Sequence, residues 1–237
     1  MLTVAACGLR PANQAAALGA AGLKLINVSL DPLSIDRFKE FARVDAFRKV
    51  IAGLRAAEEA GLNPIKLNVV VMKGQNDDEV VDFARLAREK GYEVRFIEFM
   101  PLDGDGAWRP DLVVPSRAIQ ERIEDQFRLV SRPNDRPTPS NNYGFADGAP
   151  GGVGFISSVS QAFCTTCNRI RLTAEGGLRT CLFSLHETPL RDLMRSGVSD
   201  DHSGQVSETA IWRNEEGHLI NQPGFIKPSK SMSQIGG

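Results

Sequence analysis

The sequence predicts an α/β fold built on a parallel sheet. Short runs rich in Val, Ile and Phe alternate with amphipathic helical runs, and two of those helical runs close on glycine. Strand, helix and strand in that order imply parallel pairing with right-handed crossovers.

The strands are "LKLINVSLD" (23–31), "IKLNVVVM" (65–72) and "EVRFIEFM" (93–100). Between the first two, "DAFRKVIAGLRAAEEAG" sets Phe47, Val50, Ile51 and Leu54 at helical spacing and stops at Gly61. Between the second pair, "NDDEVVDFARLAREKG" opens on a capping-box pattern, Asn76 then Glu79. Val80, Phe83, Ala84 and Ala87 fall on one face of that helix, and Gly91 ends it. "PSRAIQERIEDQFRLV" (115–130) reads as a further helix with Ser116 as its cap. The Pro- and Gly-rich stretch 131–152 reads as a linker, dividing a region 1–130 from a region 153–237. Residues 196–217 are polar and too weakly patterned to assign.

A chain of 237 residues holds one large domain or two small ones. Its net charge of −1 argues against a broad nucleic-acid or membrane footprint. No run approaches the roughly 18 apolar residues of a membrane span, and the N-terminus lacks a secretory signal's basic start and apolar core. The cytoplasm is the expected compartment, where thiols stay reduced.

Strands covered by helices on both faces should be almost continuously apolar. These three are not. Asn27, Ser29 and Asp31 share one face of the first, and Lys66 and Asn68 one face of the second. Arg95 and Glu98 of the third have opposite parity, so only one joins the polar face. Such a face is either solvated or lines a ligand cavity, and ligands in these architectures gather at the carboxyl ends of the strands.

Three of the four cysteines, Cys164, Cys167 and Cys181, stand in "FCTTCNRIRLTAEGGLRTCLF" (163–183). With His186 they could form a Cys₃His zinc site. Without it they could hold an iron–sulfur cluster that leaves one iron open. Arg169 and Arg171 alternate with Ile170, so both guanidiniums project from one strand face, suited to a polyanion or simply solvated. Cys7, isolated in sequence, reads as a small buried hydrophobe.

The Cys-x2-Cys-x13-Cys frame followed by Asn-Arg-x-Arg resembles the GTP 3′,8-cyclase family of molybdenum cofactor biosynthesis (molybdenum cofactor biosynthesis protein A), within the radical S-adenosylmethionine superfamily. "AGLKLINVSLD", "IKLNVVVMKGQND", "VRFIEFMPL" and the closing "SMSQIGG" are similar to that family in the same order. The resemblance implies an incomplete parallel (β/α) barrel of the radical S-adenosylmethionine type, with a C-terminal cluster-binding extension. It implies that Cys164, Cys167 and Cys181 bind a 4Fe-4S cluster, that Arg169, Arg171 and Lys66 bind GTP, and that Ser29 and Met100 contact S-adenosylmethionine. Arg95 matches another active-site position, and Gly236 and Gly237 a tail that reaches the active site.

The family's N-terminal Cys-x3-Cys-x2-Cys, which holds a second cluster, is not in this sequence, where only Cys7 precedes residue 164. "LTVAACGL" stands where the family reads Thr-Thr-Asn-Gly, with Ala5 near a ligand-facing threonine. The chain thus looks like the last two thirds of a cyclase. The implied partners are GTP and, as pathway neighbour, cyclic pyranopterin monophosphate synthase. A homodimer is compatible with the resemblance. A non-catalytic module that holds GTP and a cluster is the competing expectation.

Overall fold

A computed structural model describes residues 3–6, 11–104, 106–134, 137–214 and 217–235. The chain divides into two compact units, Met1–Phe99 with Asp111–Ser160, and Met100–Pro110 with Gln161–Gly237.

The first unit is built on seven strands: β1 (Thr3–Ala6), β2 (Leu25–Ser29), β3 (Ile65–Val71), β4 (Glu93–Glu98), β5 (Leu129–Arg132), β6 (Asn141–Phe145) and β7 (Gly152–Ile156). They lie in the order β1-β2-β3-β4-β7-β6-β5. The first five in that order pair in parallel, and β6 and β5 pair antiparallel. β1 and β5 are the two ends of this open, mostly parallel sheet. Helices α1 (Pro11–Ala20), α2 (Ile35–Ala42), α3 (Phe47–Glu59), α4 (Val80–Lys90) and α5 (Ser116–Glu124) connect the strands.

One sheet face is apolar because of period-2 alternation. Ile26, Val28, Leu67, Val69, Val94 and Phe96 are buried there, against Val50 and Leu54 of α3, Phe83 and Ala87 of α4, and Ile119 and Ile123 of α5. Phe96 stacks on Phe155 with ring centroids 5.9 Å apart and meets Phe83 edge-on at 6.4 Å. Each such side chain contributes about 1.5–3 kcal/mol by leaving water.

Glycine ends α4 as expected, with Gly91 at φ 73° donating its N–H to Ala87. The expected capping box at its start does not form. Asn76 is instead buried, with Nδ2 donating to the Asp31 and Val70 carbonyls and Oδ1 accepting from Met72. Glu79 accepts from the Leu33 N–H at 2.8 Å. Backbone groups at Asp31 and Leu33, over forty residues away, together with Val70 and Met72, outbid one local cap. Ser116 does not cap α5 either; it is the first helical residue, and its N–H donates to Glu98 at 2.8 Å. Glu98 faces the helices, fully buried, and also accepts from the Val159 and Ser160 N–H groups and the Ser160 hydroxyl. A carboxylate is tolerated in so buried a place when donors satisfy it, and these four fasten three segments together.

The helix expected over 115–130 ends at Glu124, and its last residues enter β5. The 131–152 stretch, expected as a linker, contains β6 and runs into β7, so the unit boundary falls at residue 160.

The second unit holds a three-stranded antiparallel sheet of β8 (Arg171–Leu172), β9 (Gly177–Arg179) and β10 (Thr188–Pro189), in the order β10-β9-β8. Helices α6 (Leu190–Arg195) and α7 (Asp200–Trp212) follow. Ser199 caps α7 by accepting from the His202 N–H at 3.2 Å. Among the described residues no helix is long and apolar enough to cross a membrane.

Candidate functional site

The polar sheet face of the first unit is built by strand register. Asn27, Lys66 and Glu93 lie side by side on β2, β3 and β4, and Ser29, Asn68, Arg95 and Gly154 form the next row. Lys66 forms an ion pair with Glu93, and Arg95 donates to Asn27. Arg95 and Glu98 point to opposite faces, as their parity requires, and Arg95 is the one on the polar face. Gly154 leaves room for the Arg95 stem; a Cβ there would sit 2.3 Å from the Ser140 hydroxyl and 3.4 Å from Arg95 Cγ.

Two buried polar atoms on this face, Arg95 Nε and Asn68 Oδ1, have no hydrogen-bond partner among the described residues. One is a donor and the other an acceptor, in register on neighbouring strands. Burial pulls the Arg95 guanidinium below its ordinary range, opposed by the Glu93 charge. Asp31, just past the end of β2, is pushed up to about 6 by burial, opposed by the hydrogen bond it accepts from the Val70 N–H at 2.7 Å. Ser29 is exposed on the polar face.

The second unit holds the thiols. Cys164 opens a short 3₁₀ turn, Cys164–Thr166, closed by the Cys167 N–H donating to the Cys164 carbonyl at 3.1 Å. Arg169 Nε donates to Cys167 Sγ at 3.4 Å, and its guanidinium lies 5.2 Å from the centre of the Phe163 ring. Burial raises the Cys167 thiol, but the Arg169 hydrogen bonds and the charges of Arg169 and Arg171 outweigh it, so the group sits below its usual range. Arg171 is drawn down by burial and then by Arg169, against the opposing pull of Cys167 and Cys181. The Phe183 N–H donates to Cys181 Sγ at 3.5 Å.

The alternation through 169–172 is the reverse of a solvated arginine face. Arg169 and Arg171 are half-buried, whereas Ile170 and Leu172 are exposed. Two apolar side chains lie in water, while the two cations pack partly beside the thiols.

All three cysteines are thiols rather than disulfides. Among the described residues no group of three His, Cys, Asp or Glu side chains is placed to hold a metal ion, and His186 is exposed two residues before β10. Low-lying thiol chemistry, cationic neighbours and donor N–H groups on sulfur are what a bound cluster's thiolates need. The residues fit such a cluster.

Gly217 was not legible as a site residue. A Cβ on it would sit 3.0 Å from Cys164 Cβ and 3.2 Å from its Sγ, so only glycine lets that segment lie against the thiol. Next to it the His218 ring packs edge-on against Phe183 at 4.9 Å. Met100 is half-buried, its carbonyl accepting from the Leu102 N–H at 2.8 Å. Cys7, Gly236 and Gly237 lie outside the described residues.

The first unit is an open, mostly parallel α/β sheet with a polar face, and the thiols lie in the second; the class of protein this matches is the radical S-adenosylmethionine superfamily. The Radical SAM superfamily model matches residues 1–87, and the Molybdenum Cofactor Synthesis C model matches residues 92–220. The chain is 42% identical to "GTP 3′,8-cyclase" of Streptomyces coelicolor over 238 aligned residues, covering all of this chain and 69% of that protein. It is 42% identical to "GTP 3′,8-cyclase 2" of Mycobacterium tuberculosis over 97% of this chain and 65% of that one. For "GTP 3′,8-cyclase" of Mycolicibacterium smegmatis the figures are 41%, 100% and 66%. A structure of TYW1 with a lysine-pyruvate adduct aligns with a TM-score of 0.40 at 10% identity, over 56% of this chain and 43% of that one. The chain belongs to the GTP 3′,8-cyclase family of molybdenum cofactor biosynthesis, and spans about two thirds of the length of these curated relatives.

Proposed function

We propose that this chain supplies the GTP-binding side of a GTP 3′,8-cyclase, the cytoplasmic enzyme that converts GTP to (8S)-3′,8-cyclo-7,8-dihydroguanosine 5′-triphosphate. The observation that carries the reading is the inward turn of Arg169 and Arg171 beside the thiols. In this reading Cys164, Cys167 and Cys181 hold a 4Fe-4S cluster. When bound, that group supplies an open iron to which a purine can coordinate.

The chain's own residues bind and orient. Arg169 and Arg171 grip the triphosphate through paired N–H donors, which a lysine could not match. On the polar sheet face, Lys66 must exchange its Glu93 partner for a ligand oxygen, and Asn27 holds Arg95 in place. The orphaned Arg95 Nε and Asn68 Oδ1 suit a ligand group that both accepts and donates a hydrogen bond, as a hydroxyl does. Ser29 and Met100 are assigned to S-adenosylmethionine, and Gly236 and Gly237 to the reacting end of GTP. The sequence offers no Cys-x3-Cys-x2-Cys, so cleavage of S-adenosylmethionine is assigned to no residue here.

Calorimetric titration of anaerobically reconstituted protein with GTP tests the grip. Loss of two charge-assisted contacts in Arg169→Ala/Arg171→Ala should weaken GTP binding about 100-fold or more. Equal affinity in the two proteins removes the role. Iron near four per chain supports the cluster; stoichiometric zinc without iron rejects it.

A further inference from the structure

The charged residues around Cys181 form a relay that the site described above does not use. Arg179 on β9 is 3% exposed, and its Nη2 donates to the Ser184 carbonyl. Ser184 also closes the turn Cys181–Ser184, its N–H donating to the Cys181 carbonyl at 3.3 Å, and the Phe183 N–H reaches the Cys181 sulfur. Glu187 Oε1 stands 3.4 Å from Arg179 Nη1, and its other oxygen accepts from Lys230 Nζ at 2.9 Å. Lys230 also meets the more exposed Glu175. Its segment is tied into the same unit independently, by Lys227 on Asp103 at 2.8 Å, by the Met232 N–H on the Leu102 carbonyl and by the fully buried Ile235.

Space for the relay is made by Gly177, where a Cβ would sit 2.5 Å from Glu187 Oε2. Arg179 Nε has no hydrogen-bond partner among the described residues, so Glu187 is the carboxylate that balances a buried guanidinium. Lys230 holds that carboxylate's far oxygen and so sets where it can stand.

We propose that Lys230 is a positioning residue: through Glu187 and Arg179 it fixes the Cys181 turn to the C-terminal segment 227–235. The proposal rests on the reading of Cys181 as a cluster ligand, because only then does the turn's geometry matter to the reaction. It makes the segment that leads to the Gly-Gly tail and the loop that carries one ligand move as one body.

Hydrogen exchange on the iron-loaded full chain decides it. Lys230→Met should speed exchange in the peptide 180–187 about tenfold, with β3 and β4 unchanged as internal controls, and Lys230→Arg should restore the native rate. Gly177→Ala, which alters no charge, should loosen the same peptide by displacing Glu187. Faster exchange in 228–235 alone, with 180–187 at native rates in both variants, overturns the proposal. Failure of Lys230→Arg to restore the rate overturns it as well. Iron content of the same samples tests the ligand reading separately: a chain that takes up no iron refutes that reading, while the exchange comparison still decides the relay.

Discussion

The two units keep themselves folded by different means. In the first, a continuous apolar cluster runs from Ala15 to Phe155 between sheet and helices, and the buried Glu98 carboxylate accepts from four donors. In the second, the buried apolar residues are Leu102, Leu178, Phe183, Ile220 and Ile235. Neither α6 nor α7 has a buried residue, and Trp212 is 82% exposed. Ion pairs bridge what apolar packing does not, among them Lys227 with Asp103 and Lys230 with Glu187. A unit with so small a core resembles small domains that need a metal or disulfide staple. Three thiols lie in that unit and none is described in the other, and the proposed cluster would be its staple.

The sharpest way to break the comparison is to remove the metal. Ligand binding of this kind is itself folding free energy. Chelation under anaerobic conditions should therefore expose residues 161–235 to proteolysis while the seven-stranded sheet keeps its protection from hydrogen exchange. Loss of both together would show that the units are not separately held. Next in size, Phe96→Ala should cost the first unit about 3–5 kcal/mol, seen by denaturant unfolding, because it empties the stack between Phe83 and Phe155. Iron content should not change.

Gly217→Ala should act the other way. It crowds Cys164 without touching the sheet, and should lower iron per chain by roughly half at unchanged stability of the first unit. Smallest is a pH effect confined to the first unit. Asp31 is raised from 3.8 to about 6 in the folded chain, so the folded state holds the extra proton between those values. Stability from this group is present at low pH and lost as pH rises through about 6. Asp31→Asn keeps the acceptor for Val70 and should be more stable than the native chain by about 1–2 kcal/mol at pH 8, with the gap closing toward pH 4. A gap independent of pH would mean that Asp31 does not titrate there.

Much of the first unit was legible because its signals are local. Alternation placed Ile26, Val28 and Leu30 inward and Asn27 and Ser29 outward, and the opposite parity of Arg95 and Glu98 assigned them to opposite faces. Residues 131–152 misled because prolines and glycines mark turns, whereas pairing of β6 with β7 is a long-range event that composition does not record. α7 escaped notice for a physical reason: a helix that buries nothing has no apolar period to read. In the site, the Cys-x2-Cys frame and its arginines stood out, but Gly217 against Cys164 did not, since the two are over fifty positions apart.

The sequence by itself determined β2, β3 and β4, the faces their side chains take, the helix stops at glycine and the gathering of thiols with arginines. These follow from backbone geometry over a few residues. Only the tertiary structure decided that Asn76 serves Asp31 and Val70 rather than a helix cap, that Glu98 caps α5 from another strand, and that Arg169 and Arg171 turn inward. Each of those choices is a competition between local and distant partners, and burial settles it because an unpartnered polar group is costly away from water.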